Sequence, residues 1–422
     1  MNGDPDSGQA VSERNGPGEL LRIPAFRWLM LYRIGTMLSY QIVAVAVGWQ
    51  VYTLTRNPLS LGLIGLAEVL PFFCVAPFAG YLVDVLPRRK LGMLACGGLG
   101  ITALVLLSIT ASGMGETSVW PIYAAIAFGG CWRAFLGPVY NALFARVLQR
   151  EQFVRGASLG SVIFQTGLVL GPAIGGSLVG WSGQASAYAV AAVCACLAVI
   201  ALWRLPRAAE PPPMQQREPV FASIREGLRF VFGHQILLGA LALDMFAVLF
   251  GGAISLAPAF IREILHAGPE GLGILRGAPA LGSVSVALWL ARRPLQAHAG
   301  AIMMLAVAGF GLCIIGFGLS THFWLSAFFL LLSGVCDGVS VIVRSTILQL
   351  STPDAMRGRV SSINSIFIGS SNELGAFYAG SMARMLGLVH AVVLGGFVTV
   401  TVVGVTARLA PRLRRLDLRD LE

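Results

Sequence analysis

Lysine is nearly absent from this chain of 422 residues: Lys90 stands alone beside 29 arginines, and charged residues of every kind amount to 12%. A globular chain carries about 25%, so 20 acids and 30 bases cannot coat a soluble body of this length. The single lysine also closes off chemistry. A phosphate-binding loop needs Gly-Lys-Ser/Thr, whereas Lys90 precedes Leu91, in a basic cluster where a Schiff-base amine would be solvated. Paired cysteines are lacking too. Cys74, Cys96, Cys131, Cys194, Cys196, Cys313 and Cys336 lie in apolar stretches with no CxxC spacing, and the five histidines are scattered. Such cysteines read as small packing residues, and neither a cofactor nor a metal is implied. The opening 19 residues hold Asp4, Asp6, Glu13 and Arg14 but no apolar core. They do not read as a cleaved secretory signal, and residues 1–20 are expected to be a disordered cytoplasmic tail.

Apolar residues are what the chain has in excess: 56%, with a mean hydropathy of +0.76. The net charge of +10 therefore belongs to an integral membrane protein and not to a nucleic-acid module. A spanning helix needs about 20 mainly apolar residues. Twelve stretches qualify, near 27–54, 59–85, 91–112, 119–146, 157–181, 185–204, 236–261, 271–291, 299–319, 323–349, 360–384 and 388–410. The expected fold is all-α, with 12 transmembrane helices.

The arginines set the direction. Alternate connections carry Arg88, Arg89 and Lys90; Arg146, Arg150 and Arg155; Arg204 to Arg229; Arg292 and Arg293; and Arg357 and Arg359. The others offer little beyond Arg56, Arg262 and Arg384. Positive residues stay on the cytoplasmic side, so both termini are expected there, including a basic tail over 411–422. The longest connection, 205–235, opens with Pro211-Pro212-Pro213 and turns amphipathic, with Phe221, Ile224, Leu228 and Val231 on one face. That segment reads as a helix on the inner membrane surface or packed beneath the protein's own domains. It divides the chain into bundles over 21–204 and 236–410.

An internal repeat supports the division. A shift of 204 residues lays Arg88-Arg89 on Arg292-Arg293, Arg155 on Arg359, Ser161 on Ser365, Gly171 on Gly375 and Gly176 on Gly380. Two similar six-helix halves are expected of a secondary transporter.

Four elements carry chemistry. The connection after span two reads Gly80-Tyr-Leu-Val-Asp84-Val-Leu-Pro-Arg88-Arg89-Lys90. Asp84 at a helix end can pair with arginines or with another helix's positive N-terminus, which makes Gly80, Asp84, Arg88 and Arg89 a candidate gating loop. Span five reads Gly167-Leu-Val-Leu-Gly171-Pro172-Ala-Ile-Gly175-Gly176. Glycines at i, i+4 and i+8 leave a bare face for close helix approach, and Gly273, Gly277 and Ala280 on span eight are the expected facing partner. Span four holds Arg133, about 20 Å below Trp120 at 1.5 Å per residue, where a charge must be paired or hydrated. The 204-residue shift sets Arg133 opposite Asp337, a pattern expected of a polarised central cavity. Glu68, Asp244 and Glu373 are further ionisable groups within spans. Carboxylates in poorly hydrated sites exchange protons, so Glu68, Arg133, Asp244, Asp337 and Glu373 are candidates for proton coupling. Arg33, Tyr40 and Gln41 are candidate cavity residues on span one, and Trp49 and Gln50 lie further along it. Arg33 is shallow enough to snorkel to headgroups.

The span-two loop resembles the signature loop of the major facilitator superfamily, although Val85 and Pro87 depart from it. The span-five run resembles that superfamily's drug/proton antiporter motif at every fixed position, and Arg133-Ala-Phe-Leu-Gly137 resembles its Arg-x-x-Gln-Gly element. Arg56-Asn-Pro-Leu-Ser-Leu-Gly62 and Thr352-Pro-Asp-Ala-Met-Arg-Gly-Arg359 are similar to junctions in the branch of siderophore and macrolide exporters. The resemblance implies two pseudo-symmetric six-helix bundles and proton-coupled export of a small amphipathic molecule from the bacterial inner membrane. It also implies a role for Arg133 in proton transfer and a monomer in the lipid bilayer. An importer, and a receptor on the same scaffold, are the alternatives; no nucleophile–base pair supports an enzyme.

Overall fold

The computed structural model describes residues 20–114, 118–149, 152–206, 220–292, 297–353 and 356–417. The N-terminal tail, the triple-proline linker and Arg293 lie outside the described residues, as do the side chains of Asp84, Phe221 and Ile224. The first four apolar stretches fold as α1 (Pro24–Thr55), α2 (Pro58–Val85), α3 (Arg88–Ala111) and α4 (Trp120–Val147). A continuous element, Phe153–Arg204, follows. Its 52 residues would make a rod of about 78 Å, more than twice the hydrocarbon thickness. Gly183, at φ 80° and ψ 173°, breaks it into α5 (153–182) and α6 (184–204), two antiparallel spans. That backbone region is essentially closed to residues with a Cβ. Gly183→Ala is expected to cost about 1–3 kcal/mol and to lower the temperature at which the detergent-solubilised protein loses its monodisperse peak.

The second half holds α7 (Val220–Gly233), α8 (Gln235–Phe250), α9 (Ala257–Glu263), α10 (Pro269–Arg292), α11 (Ala299–Leu319), α12 (Phe323–Ser351), α13 (Arg357–Leu386), α14 (Leu388–Leu409) and the turn α15 (Pro411–Arg414). α8 and α9 are one span, interrupted at Gly251-Gly252 and by a 3-10 turn at Ala253–Leu256. A Cβ on Gly252 would press against the Gly375 backbone, so glycine lets this break back onto α13. Among the described residues, ten helices are long and apolar enough to cross a membrane. The break at Gly183 divides one of them, and α13 is a further 30-residue helix whose Asn364, Asn372 and Glu373 depress its hydropathy. Twelve spans result, six in each half. α7 packs on α8 and α13, with Val231 fully buried and Arg225, Glu226 and Arg229 exposed, so it lies beneath its own bundle. Residues 411–416, the start of the basic tail, are docked as well: Leu413 is fully buried and the Leu416 carbonyl accepts from Gly300 N–H at 3.2 Å.

Within the first half, α1 packs along α5 and α6, and α4 packs against α2 and α3; in the second, α12 packs against α10 and α11. The halves meet along two seams, α2 on α13 and α5 on α10. Buried apolar residues divide unevenly between the two ends of the molecule. At the end that carries both chain termini, each half has a separate core: Phe26, Leu91, Val139 and Leu202 in the first, Leu237, Met303, Ile347 and Leu413 in the second. At the opposite, distal end one core crosses between halves, joining Val45, Tyr52 and Leu61 to Phe260, Leu272, Phe317 and Ala379, beside a core confined to the first half around Ile42, Leu106 and Tyr188. The molecule is sealed distally and parted at its terminal end.

Candidate functional site

The distal seal is built from backbones that touch. Gly176 of α5 meets Gly273 of α10, where a Cβ would come within 2.5 Å of the Gly273 nitrogen. Gly380 of α13 meets Pro58 and Gly62 of α2, where a Cβ would come within 2.8 Å of the Pro58 oxygen. Gly176 and Gly380 are the pair matched by the 204-residue shift, so the internal repeat places a glycine at the same point of both seams. The stripe Gly167, Gly171 and Gly175 behaves differently. It receives Met37, Gln41, and Ile42 with Val45, all on α1 of the same half. The expectation that this stripe faces span eight is thus corrected: Gly273 and Gly277 approach Pro172, Ala173, Gly176 and Val169 instead. A stripe read from spacing alone shows that some backbone comes close, but not which one.

Polar contacts reinforce the seal. Tyr52 Oη donates to Glu263, and Arg262 Nη1 donates to Thr53 Oγ1 at 2.9 Å, tying the end of α1 to α9. The sequence reading passed over this latch. The available signal was Arg262, one of few arginines in the sparsely charged connections, next to an acid. Tyr52→Phe removes a hydrogen bond to a charged group, worth about 1.5–3 kcal/mol when enclosed and less here because Glu263 is exposed. Labelling of Val45→Cys by a maleimide added from the distal side is expected to quicken several-fold in that background.

The α2–α13 seam is tight over its distal part. Along α2 the last close approach is Gly65, where a Cβ would lie 3.1 Å from the Glu373 carbonyl oxygen, whereas a Cβ on Gly80 or Gly369 would meet nothing. A cluster of charge occupies the point where α2 and α13 part. Arg133 of α4 donates through Nη1 to Glu68 Oε1 of α2 at 2.5 Å and to Glu373 Oε1 of α13 at 3.1 Å. Its guanidinium also lies over the Tyr40 ring, 4.7 Å from the centroid, and 5.4 Å from that of Phe72. Arg276 of α10 adds a second cation that interacts with Glu373, Glu68 and Tyr40. Glu68 and Arg133 come from one half, Glu373 and Arg276 from the other. Two acids against two bases make the cluster neutral when all are ionised. The Arg133 side chain is 27% exposed and the Glu68 side chain 11%, so the group borders the opening and is not sealed inside protein.

The other predicted residues fall elsewhere. Asp337 does not face Arg133; its charged neighbours are Asp244 and Arg344, within the second half. Equivalent positions in a repeat need not meet: Arg133 reaches across the seam to Glu373, whereas Asp337 turns toward its own bundle. Arg33 does not snorkel: its guanidinium stacks 3.8 Å above the Tyr140 ring, with Phe164 at 5.3 Å. Gln41 lies against Gly171, and Gln50 is buried in the first half, accepting from Tyr188 Oη at 2.6 Å and donating to Thr110 at 3.0 Å. In the gating loop, Gly80 is exposed, Arg88 Nε donates to the Val83 carbonyl at 3.3 Å, and Arg89 donates to the Trp203 carbonyl at the end of α6. Among the described residues no group of three or more His, Cys, Asp or Glu could hold a metal.

Two six-helix halves, sealed at one end around a mid-membrane charge cluster and parted at the other, define a secondary transporter and not an enzyme. The chain belongs to the transmembrane secretion effector family of the major facilitator superfamily, whose family model matches residues 17–422. It is 30% identical over 387 residues to the enterobactin exporter EntS of Escherichia coli O81, covering 89% of each chain. To that of Shigella boydii serotype 18 it is 29% identical over 380 residues, again 89% of each, and to that of Citrobacter koseri 28% over 405 residues, 93% of each. Solved structures share the fold at low identity. A POT family transporter in complex with 5-aminolevulinic acid superposes with a TM-score of 0.74 at 10% identity, covering 92% of this chain and 96% of that one. A bacterial homolog of the human lysosomal transporter Spinster, inward-facing and unoccupied, gives 0.71 at 14%, covering 94% and 97%. An inward-facing bacterial homologue of ferroportin gives 0.67 at 17%, covering 91% and 99%.

Proposed function

We propose that this protein exports a small amphipathic organic compound, of the siderophore or antibiotic kind, across the bacterial inner membrane in exchange for protons. The position of the triad Glu68–Arg133–Glu373 carries the reading. It bridges the halves where the seam ends, so any rocking that opens the distal end must pull Glu373 away from Arg133. Glu373 then keeps only the Arg276 charge of its own half, with which it makes no ion pair here, and a carboxylate stripped of its hydrogen-bonded cation in a poorly hydrated place takes up a proton more readily. Proton binding would then be tied to the change in access. The likeness to enterobactin exporters supports outward transport and a siderophore-like cargo. The arginine distribution supports cytoplasmic termini, by the positive-inside rule, and makes the present conformation inward-open. On this reading 21–204 and 236–410 are the moving bodies, 205–235 links them, and a monomer suffices.

Enterobactin flux in proteoliposomes tests the proposal. With the lumen more acidic than the bath, outward proton flow should drive the compound into the lumen, and a protonophore should abolish the accumulation. Uptake indifferent to the gradient, or driven only by the opposite gradient as in symport, would overturn it.

A further inference from the structure

The second half buries another group of charges, apart from the interhalf triad. Arg344 of α12 donates through Nη1 to Asp244 Oδ2 of α8, and the two residues are 3% and 5% exposed. Asp337 and Ser340 stand seven and four residues before Arg344, on the same face of α12. Among the described residues Asp337 has no ion pair of its own. A cavity of about 10 Å³ lies between the two aspartates and Ser340, lined as well by Ala247 and Val248 of α8 and by Val307 and Phe310 of α11. That is room for one water. Ser340 Oγ, in a residue only 3% exposed, and Arg344 Nε are both buried without a hydrogen-bond partner. A buried hydroxyl with no partner, bordering a cavity one water wide that two aspartates also line, points to a missing ligand.

Charge decides what the ligand is. Two ionised aspartates against one guanidinium leave a net charge of −1 where Asp244 and Arg344 are buried and Asp337 is half-buried, an imbalance that a poorly hydrated place disfavours. One more positive charge is required. A hard metal cation takes six or more oxygens, more than two carboxylates and one hydroxyl supply, and the guanidinium would repel it. A proton needs a single carboxylate oxygen. The charged and titratable groups facing Asp337 are Asp244 from α8, Arg344 from its own helix and the adjoining Cys336 thiol. α11 presents Val307 and Phe310, and α10 presents Ser283, whose hydroxyl is already donated to the Gly334 carbonyl at 2.8 Å.

We propose that Asp244, Asp337, Ser340 and Arg344 form a second proton-binding site, which holds one proton on Asp337, bridged by one water to Ser340, while Arg344 is committed to Asp244. The site is separate from the interhalf triad and neutral in this conformation. Infrared difference spectra of the purified full-length protein test it without any substrate, so the result is independent of whether export is proton-driven. At neutral pH the wild type should show the carbonyl band of one protonated carboxylic acid that Asp337→Asn lacks. Asp244→Asn should remove the same band by a different route, since Arg344 then turns to Asp337 and balances it as the carboxylate. Glu373→Gln should leave the band in place. A band unchanged in Asp337→Asn, or kept in Asp244→Asn protein that elutes as a single peak, would overturn the proposal. So would suppression of the wild-type band by sodium but not by potassium, which would identify a metal cation as the occupant.

Discussion

Arg133→Ala is expected to reduce transport at least about a hundredfold and to lower stability. The guanidinium serves Glu68 and Glu373 at once, and its removal leaves two carboxylates across the seam with Arg276 as their one remaining cation. Orphaning a buried charge costs about 3–5 kcal/mol; the 27% exposure of the Arg133 side chain puts this case at the lower end. Two comparisons separate loss of charge balance from loss of mechanism. Arg133→Met combined with Glu68→Gln leaves Glu373 balanced by Arg276 and carries no orphaned charge, so its thermal stability should recover while gradient-driven flux stays absent. Arg133→Lys should keep the charge but not the flat stacking on Tyr40, and should retain partial flux. Full flux in Arg133→Ala would remove the triad from the mechanism.

Gly176→Val is expected to reverse the resting conformation. A Cβ at this position meets the Gly273 backbone at 2.5 Å, and neither backbone can turn aside as a flexible side chain could. Overpacking of this kind costs about 1–3 kcal/mol. The strain exists only while the seam is closed, so it shifts the population toward the distally open form by about five- to 150-fold. Flux should fall at least about tenfold, because the return step is blocked. Gly380→Val should act in the same direction through α2. Gly80→Val, at the parted end where nothing lies within 4 Å, should leave this conformation untouched. Accessibility of a cysteine at Leu61 from the distal side measures all three. Equal accessibility in Gly176→Val and wild type would show that the glycine contact is not part of the seal.

The sequence made the architecture legible because membrane spans and their direction depend on composition, which is local. The twelve stretches, the change of half after residue 204 and the glycines repeated at 204 residues needed no knowledge of partners. The charged residues within spans were legible for a similar reason: a deep arginine must be compensated. Which carboxylate compensates it was not. Glu68, Asp244, Asp337 and Glu373 look alike in one dimension, and only packing puts Glu373 of α13 within 3.1 Å of Arg133 while sending Asp337 toward Arg344. Gln50 shows the converse. A polar residue in a span can be satisfied inside its own bundle, as Tyr188 and Thr110 satisfy this one. The Tyr52–Glu263 latch depends on helix ends that meet only across the two halves.

Spin-label distances at both ends of one molecule test the central claim most directly. Cysteines at Trp181 and Met385, both exposed near the distal ends of α5 and α13, report one gap. Cysteines at Tyr81 and Leu288, exposed on α2 and α10, report the other. With native cysteines replaced and the proton concentration or substrate varied, the distal distance should lengthen whenever the terminal one shortens. Two distances that stay fixed, or that lengthen together, would contradict alternating access around the Arg133 cluster.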